Sequence, residues 1–163
     1  MVFLSVPVFA ANETGGQTDL TFTYDPSSPT YTVTIPGSLA LNIGDNLLPI
    51  EVSATANLGG KDVEVTFEGT QDDFIDFFTS YSFPALENDS DFIFYNLYNA
   101  DNTEVSSAWG SSIRVEHGVI LATFSDNGTK SIKLALQNTL YDGEPIPTGE
   151  TFTGYIVFGI ALV

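Results

Sequence analysis

The most regular signal in the chain is alternation. Leu20-Thr21-Phe22-Thr23-Tyr24 and Tyr31-Thr32-Val33-Thr34-Ile35 place apolar and Thr side chains on opposite faces. That period of two predicts strands with one wet face, and Thr suits the wet face because it is β-branched and polar. Asp25-Pro26-Ser27-Ser28-Pro29 makes the connection between them, and Pro36 ends the second. Leu39 to Ile43 predicts a short strand closed by a turn at Gly44-Asp45-Asn46. Pro49 to Asn57 puts Ile50, Val52, Ala54 and Ala56 on one face. Val63, Val65 and Phe67 form the inner face of the next strand, with Asp62, Glu64, Thr66 and Glu68 outside. Only Leu58-Gly59-Gly60-Lys61 separates these two, so they predict an antiparallel hairpin.

Residues 70–91 are less regular and read as one acidic insert. Asp72-Asp73-Phe74-Ile75-Asp76-Phe77-Phe78 fits one helical turn, with Thr70 ahead of it, or a short strand. Ser80 to Asp91, containing Pro84, reads as a long loop. Phe92 to Tyr98 is apolar on both faces, which predicts a strand between layers. A turn follows at Asp101-Asn102. Val119 to Phe124 and Ser131 to Leu136 flank Asp126-Asn127-Gly128-Thr129, and Asn-Gly is a strong signal for a type I′ hairpin turn. The last strand runs from Phe152 to Val163, with Gly154 and Gly159 marking bulges or close approach. The pattern gives about nine or ten short strands and at most one short helical turn. The predicted fold class is all-β, a two-sheet β-sandwich of immunoglobulin-like or jelly-roll type, with a closed barrel as runner-up.

The N-terminus stands apart. Met1 to Ala11, MVFLSVPVFAA, is apolar and ends in small residues. One reading is a partial signal peptide with a cleavage site at Val8-x-Ala10 or Phe9-x-Ala11. The other is an apolar strand of the kind donated between filament subunits. Both place the protein outside the cytoplasm, secreted or at the cell surface. Residues 12–19 read as a flexible linker and 20–163 as a single domain, since the length suits one core. Neither Met1 to Ala11 nor Tyr155 to Val163 is long enough to cross a bilayer as a helix, so no integral membrane span is expected.

Charge narrows the partners. Twenty-one acids against four bases (Lys61, Arg114, Lys130, Lys133) give a net charge of −17. Nucleic acid and anionic lipid both need a basic footprint, so neither is an expected partner. Acids in such excess keep an exported protein soluble. The chain has no Cys, which removes disulfides, thiolate metal sites and thiol chemistry.

Candidate chemistry is sparse. The single His, His117, lies in Glu116-His117-Gly118 and reads as an exposed turn residue; with no nucleophile elbow there is no basis for a Ser-His-acid triad. No acid pair stands out for glycoside hydrolysis. Asp72, Asp73, Asp76, Glu87, Asp89 and Asp91 are candidate calcium ligands, beside Asn88, although no EF-hand spacing is present. Calcium is the one cofactor considered, because zinc lacks His and Cys ligands. Trp109, Tyr95 and Tyr98, with Tyr81, are candidates for a sugar-stacking face, Trp109 foremost because Ser and Gly surround it. Asn12, Asn88 and Asn127 head N-x-Ser/Thr triplets, which matter in a eukaryotic secretory pathway.

Two segments carry a resemblance. Thr30-Tyr31-Thr32-Val33-Thr34-Ile35-Pro36, followed by Leu39-Ala40-Leu41, resembles the opening of small secreted β-sandwich proteins of Gram-positive bacteria. Gly149-Glu150-Thr151-Phe152-Thr153-Gly154, followed by Tyr155 to Phe158, resembles their final turn and strand. The resemblance implies a surface or matrix role and no catalytic residues. The expected function is a non-enzymatic structural or adhesive module, such as a filament or matrix subunit, that self-associates or binds a protein partner through strand pairing. The alternatives are a carbohydrate-binding module and a calcium-stabilised adhesin domain.

Overall fold

The alternating segments form strands, and every pairing between them is antiparallel. The computed structural model describes residues 17–22, 29–71, 73–75, 80–88, 91–110 and 112–163, with backbone alone at 17–22 and 73–75. In chain order the strands are β1 (Gln17–Phe22), β2 (Thr30–Pro36), β3 (Gly44–Ala56), β4 (Val63–Gly69), β5 (Asp73–Ile75), β6 (Ser80–Ser82) and β7 (Ala85–Asn88). They continue as β8 (Asp91–Tyr98), β9 (Ser106–Trp109), β10 (Ser112–Glu116), β11 (Val119–Phe124), β12 (Gly128–Leu136) and β13 (Val157–Leu162). No helix occurs among the described residues, so the fold is all-β and sandwich-like.

Three sheets make the sandwich. The largest has the order β1-β2-β3-β12-β8-β7. A three-stranded sheet, β11-β4-β13, shares the main core with it. A four-stranded sheet, β5-β6-β10-β9, packs on β8 and β4 through β10. Val63, Val65 and Phe67 of β4 are 0% exposed, as are Ile50 of β3, Leu97 of β8 and Ile132 of β12. Full burial of such side chains contributes about 1.5–3 kcal/mol each. β8 serves two cores: Ile93, Tyr95 and Leu97 enter the main one, while Phe94 meets Ala85 and Ile113 in a smaller one. The expectation of a strand between layers holds.

Both expected hairpins are instead crossings between sheets. β3 and β4 follow each other in sequence but lie in different sheets, as do β11 and β12. Asn57, Gly59 and Gly60 have positive φ in the first crossing. Neither Asn127 nor Gly128 does in the second, so no type I′ turn forms there. Thr55 ties the crossings together: its N–H donates to Asn127 Oδ1 at 3.0 Å and its Oγ1 to Asp126 Oδ1 at 3.2 Å. The alternation on β3 breaks before the crossing, with Ala54 at φ 52° and both Ala54 and Ala56 exposed.

Other boundaries also moved. Leu39 to Ile43 is not a strand, and Gly44-Asp45-Asn46 opens β3 instead of closing one. The cause is Asn46, whose buried amide donates to the carbonyls of Asn42, Gly44 and Leu134 and whose Oδ1 accepts from Asn42 N–H. Asp73 to Ile75 takes the strand option of the two expected. Ser80 to Asp91 is not a loop, since β6, β7 and the start of β8 run through it. Strands β9 and β10 form where the alternation predicts none, and the final strand is shorter than the pattern suggests.

Gly154 and Gly159 do mark close approach. A Cβ on Gly154 would lie 2.7 Å from the carbonyl oxygen of Ala85, a backbone atom that cannot swing aside. At Gly159 the obstacles are the Thr66 Oγ1 and the Glu68 side chain, which can rotate. Gly154→Ala is therefore expected to cost about 1–3 kcal/mol and Gly159→Ala clearly less. Urea midpoints of the two variants test this; equal losses would refute the backbone clash.

Candidate functional site

The sequence candidates separate in space. Trp109, at the end of β9, is 49% exposed, and its ring rests on Tyr81 of β6 and Phe83. The ring centroids lie 5.9 Å and 5.8 Å from it. Tyr81 and Phe83 meet edge to face at 5.8 Å, and the Arg114 guanidinium sits 5.2 Å over the Tyr81 ring. β10 places Arg114 because it pairs with β6 on one side and β9 on the other. The result is one outward Trp held on a packed aromatic base.

Tyr95 and Tyr98 do not belong to this shelf. Tyr95 is 2% exposed within the main core, so no ligand can stack on it. It lies on the same face of β8 as Ile93 and Leu97, and burial pushes its phenol far above the ordinary tyrosine range. Tyr98 is half-buried, and the Lys133 ammonium covers its ring at 3.9 Å. Lys133 also reaches Asp45 Oδ2 at 3.5 Å. Lys130 stands 5.5 Å over Phe124, so three of the four bases lie against aromatic rings.

The proposed calcium ligands fare differently. Asp72, Asp76 and Asp89 lie outside the described residues, and of Asp73 only the backbone is described. Within the β7–β8 hairpin Asn88 pairs with Asp91 and Glu87 with Phe92. Adjacent positions point to opposite faces, so Glu87 and Asp91 do not converge on one ion. Asp91 instead lines a shallow recess of about 60 Å³ with Phe92, Leu140, Tyr141 and Asp142. Among the described residues no three His, Asp or Glu side chains converge as metal ligands do. Of the N-x-Ser/Thr asparagines, Asn12 is outside the described residues, Asn88 donates to Glu150 and Asn127 accepts from Thr55.

His117 is at the expected turn but is half-buried and bonded. Its Nε2 lies 2.7 Å from Ser82 Oγ, and Ser82 is 0% exposed and accepts from the Thr70 N–H. A hydroxyl sealed from solvent cannot attack a substrate, so the pair fastens β6 to the β10–β11 turn. Thirty-five residues separate the partners, and no sequence motif announces them.

The remaining feature is an edge. β13 pairs with β4 on one side, and among the described residues nothing pairs with the other. Asp62 and Val163 exchange both backbone hydrogen bonds. By the period of two, Phe158, Ile160 and Leu162 then turn their N–H and C=O groups away from β4. Their side chains pack on the main core yet stay only partly buried, whereas Val63, Val65 and Phe67 opposite them are fully buried. No charged residue follows Glu150. Gln71 anchors the approach to β13: its Nε2 donates to Ala85 O and its Oε1 accepts from Tyr155 N–H.

Comparison of the chain with protein families, with curated proteins and with solved structures finds no match. No helix is long and apolar enough to cross a membrane among the described residues.

Burial of tyrosine gives a pH signature. Tyr95 and the half-buried Tyr31 both hold their protons above the ordinary value of 10.0 because desolvation penalises the phenolate. Above that pH the unfolded chain ionises and binds fewer protons than the native one, so stability falls as pH rises. For Tyr95 the fall approaches about 1.4 kcal/mol per pH unit. Urea midpoints from neutral to alkaline pH should show it, and Tyr95→Phe should flatten the slope. A variant with the wild-type slope would contradict the assignment.

Proposed function

We propose that the chain is a non-enzymatic structural module of the cell surface or extracellular matrix that assembles by strand pairing at the β13 edge. The observation that carries this is the uncapped apolar strand itself. Its outward backbone groups and half-covered Phe158, Ile160 and Leu162 offer both hydrogen bonds and apolar contact to an added strand. The resemblance to secreted Gram-positive β-sandwich proteins supports the same class of role. The acidic surface suits it too, because repulsion between like-charged bodies leaves association to the uncharged edge.

The chain shortened to begin at Asn12 tests the reading. It is expected to form oligomers whose mass rises with concentration in sedimentation, with ordered assemblies in electron micrographs. Ile160→Pro in that chain removes an N–H that points away from β4, so it blocks the edge while keeping the β4 pairing. It should remain monomeric with unchanged β content by circular dichroism. A shortened chain that is monomeric at every concentration rejects assembly at this edge.

A second reading, carbohydrate binding, is favoured by the outward Trp109 on its aromatic base. Trp109 is the sole Trp, so intrinsic fluorescence reports on this shelf alone. Titration with oligosaccharides should shift or quench the emission if the shelf stacks sugars. Unchanged emission across a panel of neutral and acidic glycans would dismiss it.

A further inference from the structure

We propose that the outward face of the sheet β5-β6-β10-β9 binds an acidic sugar, a hexuronate, with its ring on Trp109 and its carboxylate on Arg114. This rests on the carbohydrate reading of the Trp109 shelf and names the class of sugar that the shelf takes.

The strand register fixes what shares this face. Ile113 and Val115 of β10 are buried, so Ser112, Arg114 and Glu116, which alternate with them, point outward. On β9, Trp109 lies directly across from Ser112 and Ser107 directly across from Arg114. Directly opposite residues of an antiparallel pair turn to one face, so these four side chains form one patch. Ser107 and Trp109 are exposed, and Ser112 and Arg114 are half-buried. Trp109 and Arg114 are diagonal neighbours in the patch, a spacing of about 7–8 Å at the backbone. Their side chains share a support as well. The indole lies 5.9 Å and the guanidinium 5.2 Å from the centre of the Tyr81 ring. Tyr81 sits across from Glu116 on this same face.

The chain has one Trp and one Arg, and they meet here. Arg114 is also the only base on the strands of this sheet. The Tyr81 ring attracts the cation without neutralising it. Across from Arg114 stands Ser107, whereas Lys133, also set over a ring, reaches the Asp45 carboxylate. β10 is paired on both sides, so the guanidinium stands on a fixed floor.

This combination selects a ligand. An indole takes the flat C–H face of a pyranose by apolar contact. A guanidinium takes a carboxylate through two parallel N–H donors, and such charge-assisted bonds are about twice as strong as neutral ones. A hexuronate carries both groups on one ring, and the Ser107 and Ser112 hydroxyls can donate to or accept from its own hydroxyls. An acidic peptide supplies the carboxylate but no flat C–H face for Trp109. Glu116 lies on the far side of Arg114 from Trp109, where it repels a carboxylate and so keeps the ligand on the Trp109 side. The chain's other acids act over distance, and salt screens them beyond about 8 Å at physiological ionic strength.

Trp109 emission in the full chain reads the outcome. The probes are tetrasaccharides of galacturonate, of guluronate and of hyaluronan, each beside its methyl ester, with tetraglutamate as the peptide. At least one uronate should shift the emission at about one tenth of the concentration its ester needs, a ratio that one charge-assisted bond supplies. Arg114→Gln should bring acid and ester to the same midpoint, and Arg114→Lys should keep part of the preference, both with the circular dichroism of the wild type. Esters that act as well as their acids on the wild type would overturn the uronate assignment and leave the carbohydrate reading standing; that comparison needs no variant. A preference that persists in Arg114→Gln would overturn it too, as would tetraglutamate matching the best uronate. Emission unmoved by every saccharide would remove the assignment together with the reading beneath it.

Discussion

The burial of Val63, Val65 and Phe67 against Ile50, Val52, Leu97 and Ile132 is the contact on which the rest depends. β4 is the middle strand of the small sheet, so it positions β11 and β13 at once. Its outer residues Glu64, Thr66 and Glu68 stay in contact with solvent, so one strand separates core from surface by parity alone. Because β4 is reached from β3 by a crossing, the same row also sets how the two sheets superpose. The aromatic shelf, the Ser82–His117 fastening and the open edge are all arranged around this layer.

Parity was legible in the sequence and partnership was not. Val63, Val65 and Phe67 announce their inward face because acids and Thr alternate with them. Whether Gly59-Gly60 or Asn127-Gly128 returns a strand to its neighbour or to the opposite sheet depends on contacts far away in sequence. Hairpins and sheet crossings draw on the same turn residues, since both need tight reversal. Asn46 shows the same limit, because its bond to the Leu134 carbonyl joins residues that nothing local connects. β9 was missed because Ser106-Ser107-Ala108-Trp109 has no apolar alternation to display.

The candidate site was legible to the same depth. Trp109 stood out by its small, polar neighbours and is indeed outward. Tyr95 could have been excluded by the same parity, since it shares a face with Ile93 and Leu97 while Asn96 marks the other. The cover of Lys133 on Tyr98 was not readable, because it arises from β12 pairing with β8. Scarce cations placed on rings have a plain logic in a chain this acidic. Each gains roughly 0.5–1 kcal/mol from the aromatic face and gives the sheet surface a charge that its acids do not supply.

Edges must be managed in a β protein, and here charge guards only some of them, as Glu87 does on β7. The charges of Glu64 and Glu68 on β4 and of Lys130 and Lys133 on β12 sit on inner strands and guard no edge. Both edges of the small sheet lack charge: β13 carries a bulge between Val157 and Phe158, and β11 one between Ile120 and Ala122. An uncharged strand with half-covered core side chains is a hazard unless a strand is meant to lie there.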